Sequence, residues 1–376
     1  MSNKLISFLL CYLCLSVGAL HAQNKSQITV DDSAFNLVTD SLVRNELLSA
    51  LDGFLTEKNN GSQGNSYIDS TYLKQDIEPF QHIQNIEFFD GEHFFYPTLL
   101  RVMPLEGNDL LLKIAYMGTE QRTKKPILRM LFSLIAKKGQ GRYYFYNPLE
   151  HYTRKWNKTK VGHILYTHAN KLNFKEAKAM DKFNTWMARK LEMPVMDVKY
   201  YLFEDPEQLF KGMGYDFIEN MYYSRTGGLA MYWNNTLFAG KNSARYDHEL
   251  VHFYTYRLFT NGTRIVHEGY ATYLGGSGGK TLDELLPSVK QYIANHPDEK
   301  ITDMATDYYN RIPDVPFTYV LSALVCRDVE QRFGMEGIKK LFNPKKDEDH
   351  FVHLKTVIGI DEAAFPDYIK GLLGIK

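Results

Sequence analysis

Cysteine is nearly missing from this chain. Its 376 residues include three, and two of them, Cys11 and Cys14, lie in an apolar stretch at the N-terminus. Once that stretch is set aside Cys326 is alone, which excludes an internal disulfide. Cys326 sits in an apolar, helix-like run, so it is expected to be a small buried hydrophobe and not a nucleophile. Charge of one sign is also missing: 44 basic and 44 acidic side chains cancel. Nucleic acid or an anionic membrane would call for a basic surface, so neither partner is expected. No internal repeat is visible. The longest apolar run, residues 5–20, is too short and wrongly flanked for a membrane span, so no integral membrane anchor is expected.

What is present begins with a leader. Lys4 is followed by that run, with Phe8, Leu9, Leu10, Leu13 and Val17, and Ala22 ends it as a small residue at a cleavage position. Neither Cys11 nor Cys14 is preceded by the small residue of a lipoprotein cleavage site. Residues 1–22 therefore read as a signal peptide, and an exported product, periplasmic or secreted, is expected. The remaining chain is long enough for two domains, with the composition of a globular protein: 44% hydrophobic and 23% charged. Tyrosine (26) and phenylalanine (23) are abundant. Packing accounts for them, with aromatic substrate subsites as the alternative.

Residues 23–40 are polar and read as an extended or frayed lead. From Glu46 the residues Leu47, Leu48, Leu51, Phe54 and Leu55 share one helix face. Residues 59–65 break that helix as a loop. Strands are expected at 99–103, 110–117 and 127–136. A turn at 139–141 then leads into 142–146. One helix followed by long strands predicts an α+β module over 23–150 with a curved sheet, in an element order that resembles a nuclear-transport-factor-2-like cone. His82, His93 and His151 are scattered and read as solvated or core residues. The basic segment 152–162 reads as a linker. Beyond it a short strand is expected at 162–166, a helix at 175–191 and a strand at 197–203. A capped helix then opens at Asp205-Pro206. Residues 227–233 read as a strand, either an edge that pairs with substrate or an ordinary half-buried one. After Gly279 the chain is mostly helical: 282–296, 317–333 ended by Gly334, 336–341, and 366–373.

The chemistry concentrates at Asp247-His248-Glu249-Leu250-Val251-His252. Two histidines four residues apart leave one face of a helix and can share a metal. Glu249, offset by about 100°, stands near that metal without being a ligand. Zinc suits this set: two neutral imidazoles, a third protein ligand, and a position kept for water. The metal acidifies the water and the neighbouring carboxylate takes its proton. A turn at Asn261-Gly262 leads to His267-Glu268-Gly269-Tyr270-Ala271-Thr272-Tyr273, and Glu268 is placed to be the third ligand. His267 competes for that role, but it faces about 100° away from Glu268 on a helix. Asp247 is either a partner of a ligating imidazole or a solvated helix residue.

HELVH followed by EGYATY resembles the gluzincin metallopeptidases, specifically the peptidase MA-like group with its second motif E-G-x-A-x-Y. Glu268, Gly269, Ala271 and Tyr273 match that motif, while Ile265 and Val266 stand where the group often has Trp. The metzincin pattern is excluded by Thr255 and Leu258 at its Gly and third-His positions. The resemblance implies a zincin-like catalytic domain over 151–376, zinc held by His248, His252 and Glu268, Glu249 as general base, and a peptide or protein substrate. It also implies a Tyr or His hydrogen-bond donor from a later helix. Tyr319, near the start of the 317–333 helix, is the first choice, Tyr308 and Tyr309 the next, and Tyr270 and Tyr273 read as packing. Two alternatives stay open: a peptidase-like binding or scaffold protein, and a hydrolase of a non-peptide amide. Retention of Glu249 favours an enzyme.

Overall fold

The computed structural model describes residues 28–73, 83–218 and 227–375. The leader at 1–22 and His82 lie outside them. The chain is α+β, with two larger sheets and a helical C-terminal part. It divides into two compact units, Met1–Asn147 with Tyr215–Glu219, and Pro148–Gly214 with Asn220–Lys376. The division thus falls slightly before residue 151, and one later strand belongs to the first unit.

In the first unit the helix Ser41–Glu57 starts where the Asp40 carboxylate accepts the backbone N–H groups of Leu42 and Val43. Its buried stripe is Leu47, Ala50, Leu51, Phe54 and Leu55. Phe54 packs against Phe145, ring centres 5.1 Å apart. The sheet runs in the order Thr29–Val30, Tyr96–Pro104, Leu110–Thr119, Pro126–Lys138, Tyr215–Ile218, and Tyr143–Tyr146 also pairs with Pro126–Lys138. The polar lead is docked, not frayed: Thr29–Val30 pairs in parallel with Tyr96–Pro104, and Ala34, Phe35 and Val38 are buried. Three apolar residues among polar ones were enough to hold it. Residues 59–65 form short helical turns in place of an open loop. The strand Tyr215–Ile218 is too short to announce itself in sequence. It is fixed by Asp216, whose carboxylate accepts from Lys113 Nζ and Ser133 Oγ, each at 2.7 Å.

In the second unit the sheet order is Gly227–Met231, Thr236–Gly240, Val198–Phe203, Ile164–His168, Asn157–Val161. The middle three strands are parallel and both outer ones antiparallel. The segment expected to be a linker supplies the outer strand Asn157–Val161, with Lys158 and Lys160 exposed. Charge on an edge strand discourages pairing with another chain. The strand Thr236–Gly240, not anticipated, is buried at every position, and a short buried apolar run carries no periodicity to read. The helix Phe174–Lys190, capped by Asn173, buries Ala177, Met180 and Met187. Asp205 caps Pro206–Gly212 as expected.

Three helices build the far side of this unit: Asp247–Leu258, Arg264–Gly275 and Phe317–Leu341. The middle one is wedged between the other two by glycine. A Cβ on Gly269 would stand 2.1 Å from Ser322 Oγ and 2.7 Å from the Ser322 carbonyl carbon, and one on Gly275 would stand 2.5 Å from the His248 nitrogen. The Ser322 hydroxyl donates to the Ile265 carbonyl at 2.9 Å. Gly334, with φ of 61°, breaks the long helix. Cys326 is buried in it, and burial pushes its thiol pKa far up, which keeps it inert.

A Gly269→Ala substitution is expected to cost about 1–3 kcal/mol, because the contact is with backbone as well as side chain. Calorimetric unfolding should show the lower midpoint, and an unchanged midpoint would mean the helices part freely.

Candidate metal centre

The Asp247–Leu258 helix buries His248 and His252 on one face, and Arg264–Gly275 brings Glu268 opposite them. Glu268 Oε2 lies 3.1 Å from His248 Nε2 and 3.6 Å from His252 Nε2. One ligand atom from each of the three residues lies within 4.8 Å of the others. Tetrahedral zinc bonds of about 2.0–2.2 Å would separate donor atoms by roughly 3.3–3.6 Å, close to these spacings.

The tautomer points the same way. His248 Nδ1 lies 2.7 Å from the Gly276 carbonyl, which only accepts, so Nδ1 carries the proton and donates. In the neutral imidazole Nε2 then holds a lone pair, and that lone pair faces a carboxylate oxygen. Two acceptors at 3.1 Å repel unless a proton or a metal cation lies between them. Gly276, the C-cap, has φ of 76°, a conformation that glycine adopts readily.

The charges agree. Burial opposes charge on His248, but the Glu268 carboxylate beside it prevails and raises its pKa. Burial likewise opposes charge on Glu268, and hydrogen bonds from both histidines hold its pKa well below the carboxylate range. His267, the competing ligand, turns away. Its Nδ1 meets Thr255 Oγ1 at 3.0 Å, its ring stacks on Tyr256 at 3.8 Å, and burial pushes its pKa down to about 4. Asp247 holds Arg245, with Oδ2 at 2.6 Å from Nη2, so its carboxylate is committed to that guanidinium.

The three groups form the floor of a cavity of about 550 Å³. Glu249 also lines it, half-buried. Burial depresses the Lys241 ammonium, against the pull of the Glu249 carboxylate. Tyr319 lines the cavity too, its ring centre 6.2 Å from that of His248. Tyr308 lines it while Tyr309 does not. Tyr270 is fully buried in the core. One wall is the strand Gly227–Met231, the end of its sheet among the described residues.

Several lining residues were missed in the sequence. Tyr256 follows His252 by four residues and Arg264 precedes Glu268 by four. That spacing, the same that pairs the histidines, puts each on the face of a ligand. Tyr232 and Asn310 also line the cavity, and nothing local in the sequence marks them. No family model and no curated protein matches the chain.

In metal-free protein His248 is expected to titrate above the ordinary imidazole value of about 6.5, and Glu268→Gln should lower it. A raised imidazole pKa stabilises the fold below the ordinary value, and that contribution is lost as pH rises through the folded value. Chelated protein should therefore lose stability from about pH 6.5 upward until His248 is neutral. Histidine ring NMR with denaturant titrations would read both, and a His248 value at or below the ordinary one would contradict the pairing.

Proposed function

We propose that the protein is an exported zinc-dependent metallopeptidase. The observation that carries this reading is the convergence of His248, His252 and Glu268 on the floor of a cavity that Glu249 also lines. Those three residues would hold the zinc. A bound zinc supplies Lewis acidity, polarising a carbonyl and lowering the pKa of a water.

The chain's own residues do the rest. The side of Gly227–Met231 that no described strand pairs offers main-chain N–H and C=O groups to an extended peptide, as sheet edges do. This favours a peptide over another amide. Glu249 takes the proton of the attacking water and returns it to the amine nitrogen as the C–N bond breaks. Tyr319 donates a hydrogen bond to the carbonyl oxygen as charge develops there. The Arg264 charge acts on Tyr319, and since a guanidinium only donates, the phenol keeps its own proton to give. Export through the leader at 1–22 completes the proposal and puts the mature start near Gln23.

Three measurements test this. Purified protein should carry one equivalent of zinc, lost in His252→Ala. Glu249→Gln should keep the zinc and lose ~10²–10⁴-fold in turnover of a peptide library, and normal hydrolysis by that variant would remove Glu249 as base. Tyr319→Phe should lower turnover ~10–10³-fold with zinc content unchanged and KM little altered. An unaffected rate would transfer the donor role to Tyr308.

A further inference from the structure

The cavity holds a cation whose N–H donors the peptidase reading leaves without a substrate partner. Among the described lining residues the charged side chains are Glu249, Glu268, Asp314 and Arg264, and Arg264 alone is permanently positive. It forms no ion pair with any described residue, whereas Arg245, Arg311, Arg327 and Arg332 of the same unit each hold a carboxylate. Its neighbours are aromatic. The guanidinium carbon lies 4.9 Å from the centre of the Tyr308 ring, and Tyr319 lines the same cavity beside Tyr308. Stacking occupies a face of the guanidinium, while the remaining N–H donors lie along its edge.

The stacking partner is held in place at a cost. Tyr308 has φ of 54°, in the left-handed region that bulky residues seldom enter. Its backbone N–H donates to Thr318 Oγ1 at 3.2 Å, which ties this strained residue to the long helix. Its ring and that of Tyr319 meet edge to face, 6.3 Å apart. Backbone strain of this kind clusters at binding and active sites. Here it places a ring against a guanidinium that forms no ion pair with any described residue and feels the Glu268 carboxylate from a longer distance.

We propose that Arg264 is a carboxylate anchor, and that the cavity takes peptides presenting a carboxylate group close to the bond to be cut. A planar carboxylate matches the guanidinium fork, two oxygens to two N–H donors. A phosphate dianion fits less well, because one fixed cation would face it among three acidic side chains. The proposal rests on the peptidase reading for its substrate class, but binding can be measured without turnover. The carboxylate has two sources, the free C-terminus of a peptide or an Asp or Glu side chain.

The test uses full-length, zinc-containing protein with Glu249→Gln in the background, so that peptides bind without being cut. The probes are pooled N-acetylated hexapeptides in three forms: free acids, C-terminal amides with Gln at the varied position, and C-terminal amides with Glu there. Equilibrium dialysis read by mass spectrometry should show at least one carboxylate-bearing pool bound about 10- to 100-fold more tightly than the neutral amides. Preference for the free acids identifies the C-terminus, and preference for the Glu amides identifies a side chain. Arg264→Gln should abolish the preference with zinc content unchanged, and Arg264→Lys should keep part of it. A preference that survives Arg264→Gln would place the carboxylate on the metal and overturn the proposal. Equal binding of all pools, or binding of none, would overturn it too. Hydrolysis by the wild-type chain separates the two readings. Equal cleavage of acid and neutral pools leaves the peptidase standing without the anchor. No cleavage of any pool, with Arg264-dependent binding, leaves the anchor without the peptidase.

Discussion

The cavity depends on how closely the Arg264–Gly275 helix can approach its two neighbours. Glu268 meets both imidazoles only because no side chain intervenes at Gly269 or Gly275, where a single carbon would collide with backbone atoms. Glu268 and the packing contact are adjacent in sequence, so Glu268 cannot move without disturbing the contact at Gly269. Protein interiors are dense enough that such a contact resists deformation. Donor atoms spaced at 3.1 and 3.6 Å leave little room for drift, and a rigid helix pair gives more precision than a loop.

The same helix also orients an imidazole that it does not carry. Its C-cap carbonyl, at Gly276, accepts from His248 Nδ1, which fixes the tautomer and turns Nε2 toward Glu268. Partners of this kind set the direction and basicity of a metal-binding imidazole. His252 has no counterpart. Its Nδ1 is buried with no hydrogen-bond partner among the described residues, so its ring is placed by Glu268 at its Nε2 side and by packing beside Tyr256 at 5.4 Å. The two histidines are equivalent in the motif and unequal in the fold.

This inequality shows what the sequence could convey. Residues that act through local spacing were legible: the imidazoles at i and i+4, the Asp205 cap, the glycine break at 334, and the long strands with their turn at 139–141. Residues that act through distant partners were not. The Gly276 carbonyl became a partner of His248 only once two helices were packed. Asp216 declares a strand only when Lys113 and Ser133 are beside it. Thr236–Gly240 is buried on both faces, which erases the alternation that marks a half-buried strand. The segment 152–162 misled through its charge, because lysine suits a solvated linker and an edge strand equally well. Arg264 and Tyr256 fall between these cases. Their spacing from the ligands was there to be read, but it gains meaning only when the ligands are taken as fixed points and their helix faces followed outward.

Following those faces leads to the choice among the phenols. Tyr256 is close to His252, but its ring is sandwiched between Tyr232 at 4.6 Å and His267 at 3.8 Å, and burial pushes its pKa up to about 12. A phenol so confined is a wall. Tyr319 is half-buried, at the cavity surface, and its interaction with the Arg264 charge favours it as the donor in the proposed mechanism. In the proposed mechanism this couples recognition to chemistry, because Arg264 serves both the substrate carboxylate and Tyr319. A carboxylate on Arg264 would offset part of the field that sharpens Tyr319 as a donor. The same carboxylate would also hold the scissile carbonyl in place beneath that donor. Positioning is worth more than the fraction of a charge given up, since orientation alone can supply several kcal/mol of a barrier. The arrangement therefore favours a substrate fixed at its charged end over one held by the sheet edge alone.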